Sequence, residues 1–98
     1  LAQVLQPALR DHYAVAGLVC LGWEDARAYV NAAEAENRPV ILQAGPGARA
    51  HTPLPILGAM FRHLADSVSV PVVLHLDHGR SMDEAKAAIA EGLSLIHI

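Results

Sequence analysis

The chain has 98 residues and a formal net charge of −3, and 53% of its residues are hydrophobic. This composition is typical of an α/β domain, and the acidic balance argues against a nucleic-acid-binding surface. Apolar runs fall short of the roughly 18 residues that a membrane span needs. The first residues lack a secretory-signal pattern, and Cys20 is the only cysteine. We therefore expect a cytoplasmic protein with no membrane or nucleic-acid partner.

Apolar periodicity predicts strands that alternate with helices along the chain. An initial helix followed by three βα units predicts a parallel sheet with right-handed crossovers. The pattern alone leaves open a closed barrel or a doubly wound sheet. In chain order, we predict a helix over residues 2–11, a strand over 13–21, a helix over 23–36, a strand over 40–44, a helix capped by Thr52 and opened by Pro53, a strand over 70–77, and a helix that begins with the capping box SMDE and ends at Gly92.

Residues 70–79, VPVVLHLDHG, contain an apolar strand that becomes polar at its end. Alternation places Val73, His75 and Asp77 on one face and the remaining apolar side chains on the other, beneath the helices. His78 follows at the corner between strand and loop. Because chemistry in βα folds collects at the carboxyl ends of strands, two interpretations are open. Asp77 and His78 either supply an acid/base and a metal ligand, or make ordinary loop hydrogen bonds.

The same decapeptide resembles the signature of the class II, metal-dependent ketose-bisphosphate aldolases. The resemblance extends upstream through the segments YAV, PVILQ and GA, and downstream to Gly92. In that family the residue that matches Asp77 is the catalytic acid/base, and the residue that matches His78 is a zinc ligand. The resemblance implies a (β/α)8 TIM barrel, of which this chain supplies the N-terminal helix and the first three βα units. It also implies Zn²⁺ as the cofactor.

The resemblance further implies reversible aldol cleavage of fructose 1,6- or tagatose 1,6-bisphosphate to dihydroxyacetone phosphate and an aldehyde. Zinc would polarise the ketone, and Asp77 would move the proton of the C4 hydroxyl. The implied partners are a sugar-phosphate substrate and, in the full-length enzyme, further copies of the chain. Many family members have Ser in place of Gly45 and Phe-Asn in place of Leu18 and Val19. A non-catalytic aldolase-like binding or regulatory protein, or a related metal-dependent lyase with another substrate, is therefore the alternative.

Other polar residues near strand ends are weaker candidates. The GPG loop that begins at Gly45 forms either an ordinary turn or a backbone nest for phosphate, which makes Gly45 a candidate substrate contact. We expect Arg49 and His51 to be solvated loop residues rather than phosphate contacts. We expect His75 to be a hydrogen-bonded core residue rather than a third metal ligand. Cys20 is expected to be a packed small hydrophobe rather than a nucleophile.

The last six residues, LSLIHI at positions 93–98, are expected not to be native. The resemblance stops where they begin, and LSLIHI is one translation of the transposon mosaic end used in sequencing libraries. We therefore predict an aldolase-type segment over residues 1–92 and an adapter-derived tail in which His97 is not a metal ligand. A short, divergent fourth strand is the alternative. Three units of eight cannot close a barrel, so we expect the 98-residue chain itself to be inactive and to hold zinc weakly.

Overall fold

The computed structural model describes residues 1–97, which form a four-stranded parallel sheet with helices packed against it. Each strand pairs with the next strand along the chain. None of the helices in these residues has the length and apolar content of a membrane span. The elements are α1 (Ala2–Asp11), β1 (Ala16–Val19), α2 (Trp23–Ala35), β2 (Val40–Ala44), α3 (Pro46–His51), α4 (Leu54–Asp66), β3 (Val72–Leu76), α5 (Met82–Ala90) and β4 (Leu95–Ile96).

The strand order β1-β2-β3-β4 does not reverse within residues 1–97. A doubly wound sheet changes direction at its switch point, whereas consecutive strands of a barrel always lie side by side. The unreversed order therefore favours the wall of a barrel over the doubly wound alternative. In register, Ile41 pairs with Val73 and Gln43 with His75, so the inward positions of β2 and β3 lie next to each other.

The two faces of the sheet carry separate apolar clusters, as the alternation in residues 70–79 predicts. The larger cluster lies on the helix side and includes Leu42, Leu76 and, from α4, Phe61. A smaller cluster on the opposite face joins Ile41 and Val73 to Val4 of α1. The helix α1 therefore covers part of the inner face.

Several element bounds differ from the sequence predictions. The first strand is Ala16–Val19 rather than residues 13–21, because its ladder with β2 contains only four residue pairs. The GPG segment, predicted as a loop, instead begins α3, with Gly45 as its N-cap and Pro46 at its first position. Thr52 is the C-cap of α3 rather than the N-cap of the next helix, which begins at Leu54 after Pro53. That prediction was also wrong.

The segment beyond residue 92 lies against the open edge of β3. Leu93 is buried, and Leu95 and Ile96 pair with the last residues of β3 as the short strand β4. An unpaired edge strand accepts almost any extended apolar segment, whatever its origin. The boundary between a native segment and an adapter-derived tail at residue 92 therefore stays a prediction.

Gly58 lies where α4 packs against the end of α5. A Cβ at this position would lie 2.9 Å from the Cβ of Glu91 and 3.1 Å from its carbonyl oxygen. Because that backbone cannot move away freely, we expect Gly58→Ala to lower the free energy of unfolding by about 1–3 kcal/mol. Gly47→Ala in α3 is the matched control, since its Cβ would meet nothing within 4 Å. Denaturant midpoints test this, and equal midpoints for the two variants would contradict it.

Candidate active site

The end of β3 brings Asp77 and His78 together. Asp77 follows the strand directly, and its amide donates to the carbonyl oxygen of Ala44 at the end of β2, at 3.2 Å. His78 has a left-handed backbone with φ of 53°, which is uncommon for residues other than glycine. Its side chain is 66% exposed, with Nε2 3.7 Å from Oδ2 of Asp77. The predicted pair thus lies at the rim of the sheet, open to solvent on the His78 side.

His75 lies one inward position below Asp77 and is 6% exposed, which confirms that it is a core histidine. The other half of that prediction, that His75 is not a metal ligand, is not tested by its burial. The amide nitrogen of Gln43 donates to Nδ1 of His75 at 3.1 Å. Gly17 on the adjacent strand gives that amide room, since a Cβ there would lie 3.2 Å from the Gln43 nitrogen. The other ring nitrogen, Nε2, is buried and has no hydrogen-bond partner within residues 1–97.

Charge at the site is set by one carboxylate among three imidazoles. Burial lowers the pKa of His75, and His97 and His78 lower it further against the opposing charge of Asp77, so His75 is neutral at pH 7. Partial burial works to raise the pKa of Asp77. The hydrogen bond from His97 and the nearby imidazoles outweigh that effect, and the pKa of Asp77 lies below its usual range. Asp77 is therefore an ionised carboxylate that can accept a proton.

The residues at this strand end fit a divalent metal ion. His75, Asp77 and His97 each offer one ligand atom, and these atoms lie within 4.8 Å of one another. Two imidazole nitrogens and a carboxylate oxygen form a donor set that suits zinc. The buried Nε2 of His75 becomes a free ligand if Gln43 turns its amide and accepts from Nδ1, the usual second contact of a metal-bound histidine.

The predicted ligand His78 lies outside that group of three. Its imidazole faces solvent, with its ring centroid 5.1 Å from that of His97. The prediction that His78 binds metal therefore stays a prediction, as does the prediction that His97 does not. What the structure adds is His75, whose unpartnered nitrogen points to a role beyond filling the core.

Gln43→Leu would remove the hydrogen bond to the buried ring of His75. Both ring nitrogens would then lack a partner in a buried position, so we expect the free energy of unfolding to fall by about 1–3 kcal/mol. Gln3→Leu, the same change at an exposed position of α1, should stay within about 0.5 kcal/mol of the wild type. Chemical denaturation of both variants measures the difference. A Gln43→Leu protein as stable as Gln3→Leu would show that the contact contributes nothing.

Arg49 is not the solvated residue that the sequence analysis predicted. Its side chain is only 7% exposed and forms an ion pair with Glu84 at 2.9 Å. Its guanidinium also donates to the carbonyl oxygens of Ala44, Asp77 and His78. The sequence carried no signal for these contacts. Apart from Ala44, the partners of Arg49 lie 28 to 35 residues further along the chain.

The other weak candidates follow the predictions more closely. Gly45 is buried at the end of β2, and a Cβ there would meet nothing within 4 Å, so the space beside it is open. Its role as a substrate contact stays a prediction. His51 is exposed, and its Nδ1 lies 2.9 Å from the hydroxyl of Thr52. Gln43 is a site residue that sequence reasoning missed, whereas Arg49 was named but wrongly placed in solvent. For Gln43, a polar residue on the inward face of an apolar strand was the available signal.

Cys20 is fully buried in the core beside β1, which confirms the prediction of a packed residue. Burial raises the pKa of its thiol to about 12, and the Asp25 carboxylate adds to the effect. Because the thiolate is the reactive form, we expect no alkylation of Cys20 by iodoacetamide at pH 8 in the folded protein. Mass spectrometry of native and urea-unfolded samples tests this. Rapid labelling of the native sample would contradict it.

Comparison with known proteins shows which family this chain resembles in sequence. Residues 1–97 match the family model described as fructose-bisphosphate aldolase class-II. Over 101 residues the chain is 37% identical to the 6-phospho-5-dehydro-2-deoxy-D-gluconate aldolase of Bacillus licheniformis, covering 98% of this chain and 34% of that protein. Over 97 residues it is 37% identical to the fructose-bisphosphate aldolase of Mycoplasma pneumoniae, covering 96% and 33%. The chain spans about a third of the length of these relatives.

The fold agrees with a solved aldolase. The YdjI aldolase of Escherichia coli K12 superposes with a TM-score of 0.91 at 30% identity, over 98% of this chain and 38% of that one. This confirms the predicted α/β barrel architecture, of which the described strands and helices form part of the wall. The chain therefore belongs to the class II fructose-bisphosphate aldolase family.

Proposed function

We propose that the protein containing this chain is a zinc-dependent class II aldolase. It would cleave fructose 1,6- or tagatose 1,6-bisphosphate reversibly to dihydroxyacetone phosphate and an aldehyde. The observation that carries the proposal is the ionised Asp77 at the carboxyl end of β3, beside His78 and the unpartnered Nε2 of His75. The name of the Mycoplasma pneumoniae relative, a fructose-bisphosphate aldolase, supports the substrate class.

Each residue at the strand end has a distinct role in this proposal. Asp77 takes the proton of the C4 hydroxyl as the C3–C4 bond breaks and returns it in the condensation direction. The electron pair of the broken bond passes to the ketone half, which takes up one proton at C3 and leaves as dihydroxyacetone phosphate. Asp77 releases the proton that it took from the C4 hydroxyl, so the protons balance over the reaction. His78 would hold the metal, with Nε2 of His75 as a second nitrogen donor. When bound, Zn²⁺ supplies a Lewis acid for the ketone carbonyl, so no Schiff-base lysine is needed.

Metal removal tests the proposed activity. The protein encoded by the complete reading frame that contains these residues is treated with a chelator, and release of dihydroxyacetone phosphate is followed in a coupled assay. We expect cleavage to disappear with the metal and to return when Zn²⁺ is added. The isolated 98-residue chain should show no cleavage in either state. Cleavage that survives complete metal removal would contradict the proposal.

A related aldolase with another phosphorylated substrate is the second candidate. The relative from Bacillus licheniformis is named a 6-phospho-5-dehydro-2-deoxy-D-gluconate aldolase. The open space at Gly45, where many family members carry Ser, favours a difference in substrate contacts. Comparing kcat/KM for that substrate and the two bisphosphates separates the candidates. Tight metal binding without turnover of any of the three would favour the non-catalytic binding or regulatory alternative.

We also propose a cytoplasmic location and a homo-oligomeric assembly. The buried thiol of Cys20, which needs no oxidised partner, supports the first. The second rests on the likeness to the aldolase family alone. Cell fractionation tests the location, and light scattering on the protein from the complete reading frame tests the assembly. Recovery of the protein outside the cytoplasm, or of a monomer at all concentrations, would contradict the respective proposal.

A further inference from the structure

Arg49 contacts the ends of two neighbouring strands. It lies in α3, and its guanidinium reaches the carbonyl oxygen of Ala44 at the end of β2. The same guanidinium donates to the carbonyl oxygens of Asp77, at 2.7 Å, and of His78, at 3.0 Å. Since its side chain is 7% exposed, little solvent competes for these contacts. One buried cation thus holds the backbone carbonyl groups of both candidate site residues, Asp77 and His78.

These contacts bear on the directions of the two side chains. Holding the carbonyl oxygens of Asp77 and His78 fixes the orientation of the peptide planes that follow each residue. The amide of Asp77 is held as well, because it donates to the carbonyl oxygen of Ala44 that Arg49 also contacts. His78 keeps a left-handed φ of 53°, a conformation that surrounding contacts must stabilise. The Arg49 contacts lie directly at this residue.

Glu84 anchors the guanidinium from the opposite side. Its Oε1 accepts from Nε of Arg49 at 2.9 Å, and its Oε2 accepts from the amide of Arg80 at 2.7 Å. The amide of Glu84 donates to the hydroxyl of Ser81 at 3.1 Å. The loop between β3 and α5 is therefore tied to Arg49 through a residue of the first turn of α5.

We propose that Arg49 is a positioning residue, which fixes the directions of Asp77 and His78 through their carbonyl groups. The proposal rests on the proposed aldolase function only for its catalytic consequence. A planar guanidinium can serve Glu84 and three carbonyl oxygens at once, because its five N–H donors point outward in fixed directions. Lysine offers one ammonium on a flexible stem and cannot reproduce that geometry.

Arg49→Lys is the main test, made in the protein from the complete reading frame. Loss of partners that orient metal ligands costs about 10–100-fold in metal affinity or activity, so we expect Co²⁺ affinity and kcat to fall by that range. KM should change by less than about threefold, because the substitution leaves the substrate contacts in place. Arg62→Lys is the matched control, since Arg62 also donates to a backbone carbonyl, that of Glu91, away from the site.

A further measurement, hydrogen exchange, does not depend on the aldolase function. In the metal-free protein, hydrogen exchange of the Asp77 amide should be at least about tenfold faster in Arg49→Lys and unchanged in Arg62→Lys. A wild type without metal binding or cleavage would end the proposed function, and this exchange rate alone would then decide the role of Arg49. If Arg49→Lys does not fold, Glu84→Gln replaces it and should shift the same readouts in the same direction. Wild-type exchange and metal affinity in the folded variant would overturn the proposal.

Discussion

Replacing Asp77 by Asn should reduce kcat for aldol cleavage by roughly 10²–10⁴-fold. The amide has nearly the same shape as the carboxylate but cannot accept the C4 hydroxyl proton. In this chain, partial burial works to raise the pKa of Asp77, yet the hydrogen bond from His97 and the neighbouring imidazoles hold it below the ordinary value of 3.8. In an enzyme without the predicted adapter-derived tail and its His97, the ordinary value itself leaves the carboxylate ionised at neutral pH. The wild-type carboxylate therefore stays ionised across neutral pH. Its protonation should slow cleavage only when the pH falls below that value.

Initial rates of dihydroxyacetone phosphate release measure the effect. Asp66→Asn, the same change at an exposed carboxylate at the end of α4, is the control and should keep wild-type rates. Circular dichroism and metal content establish that both variants are folded and loaded. An Asp77→Asn enzyme with more than about a tenth of the wild-type kcat would assign the proton transfer to another group, since general-base loss costs at least about 10²-fold.

The local sequence pattern was sufficient to predict the direction of a side chain wherever that direction follows from the side chain's own strand or helix. The alternation in β3 predicts that Leu74 and Leu76 face the helices and that His75 and Asp77 face inward, because side chains alternate with a period of two. The prediction of a loop at the GPG segment was wrong for a physical reason. Glycine and proline punctuate loops, but they also suit the N-cap and first position of a helix, and only the packing of α3 decides between the two.

The candidate site divides in the same way. Asp77 and His78 are adjacent in the chain, so a continuous motif reveals them. The pairing of Gln43 with His75 spans 32 residues, and the ion pair of Arg49 with Glu84 spans 35. Such contacts depend on strand register and on the placement of helices, which local periodicity does not specify. From the sequence alone, Arg49 therefore resembles a solvated loop residue, because its partners lie at the end of the neighbouring strand.

Phe61→Ala should lower the free energy of unfolding by about 3–5 kcal/mol. Phe61 is 0% exposed and belongs to the main cluster between the helices and the sheet, which also contains Leu42 and Leu76. Its removal leaves a cavity behind β3, and the close-packed surroundings can collapse into it only in part. Because a domain has only about 5–15 kcal/mol of stability, this change would use a large share of it.

The matched control lies on the same helix. Ile56 is 58% exposed, so Ile56→Ala removes little buried surface and should cost less than about 1 kcal/mol. Denaturant midpoints of both variants give the comparison. Since α4 packs against β3 from the helix side, Phe61→Ala should also loosen the strand end that carries Asp77. Faster hydrogen exchange of the Asp77 amide would show this. Equal midpoints for the two variants would mean that α4 does not pack on the sheet as described.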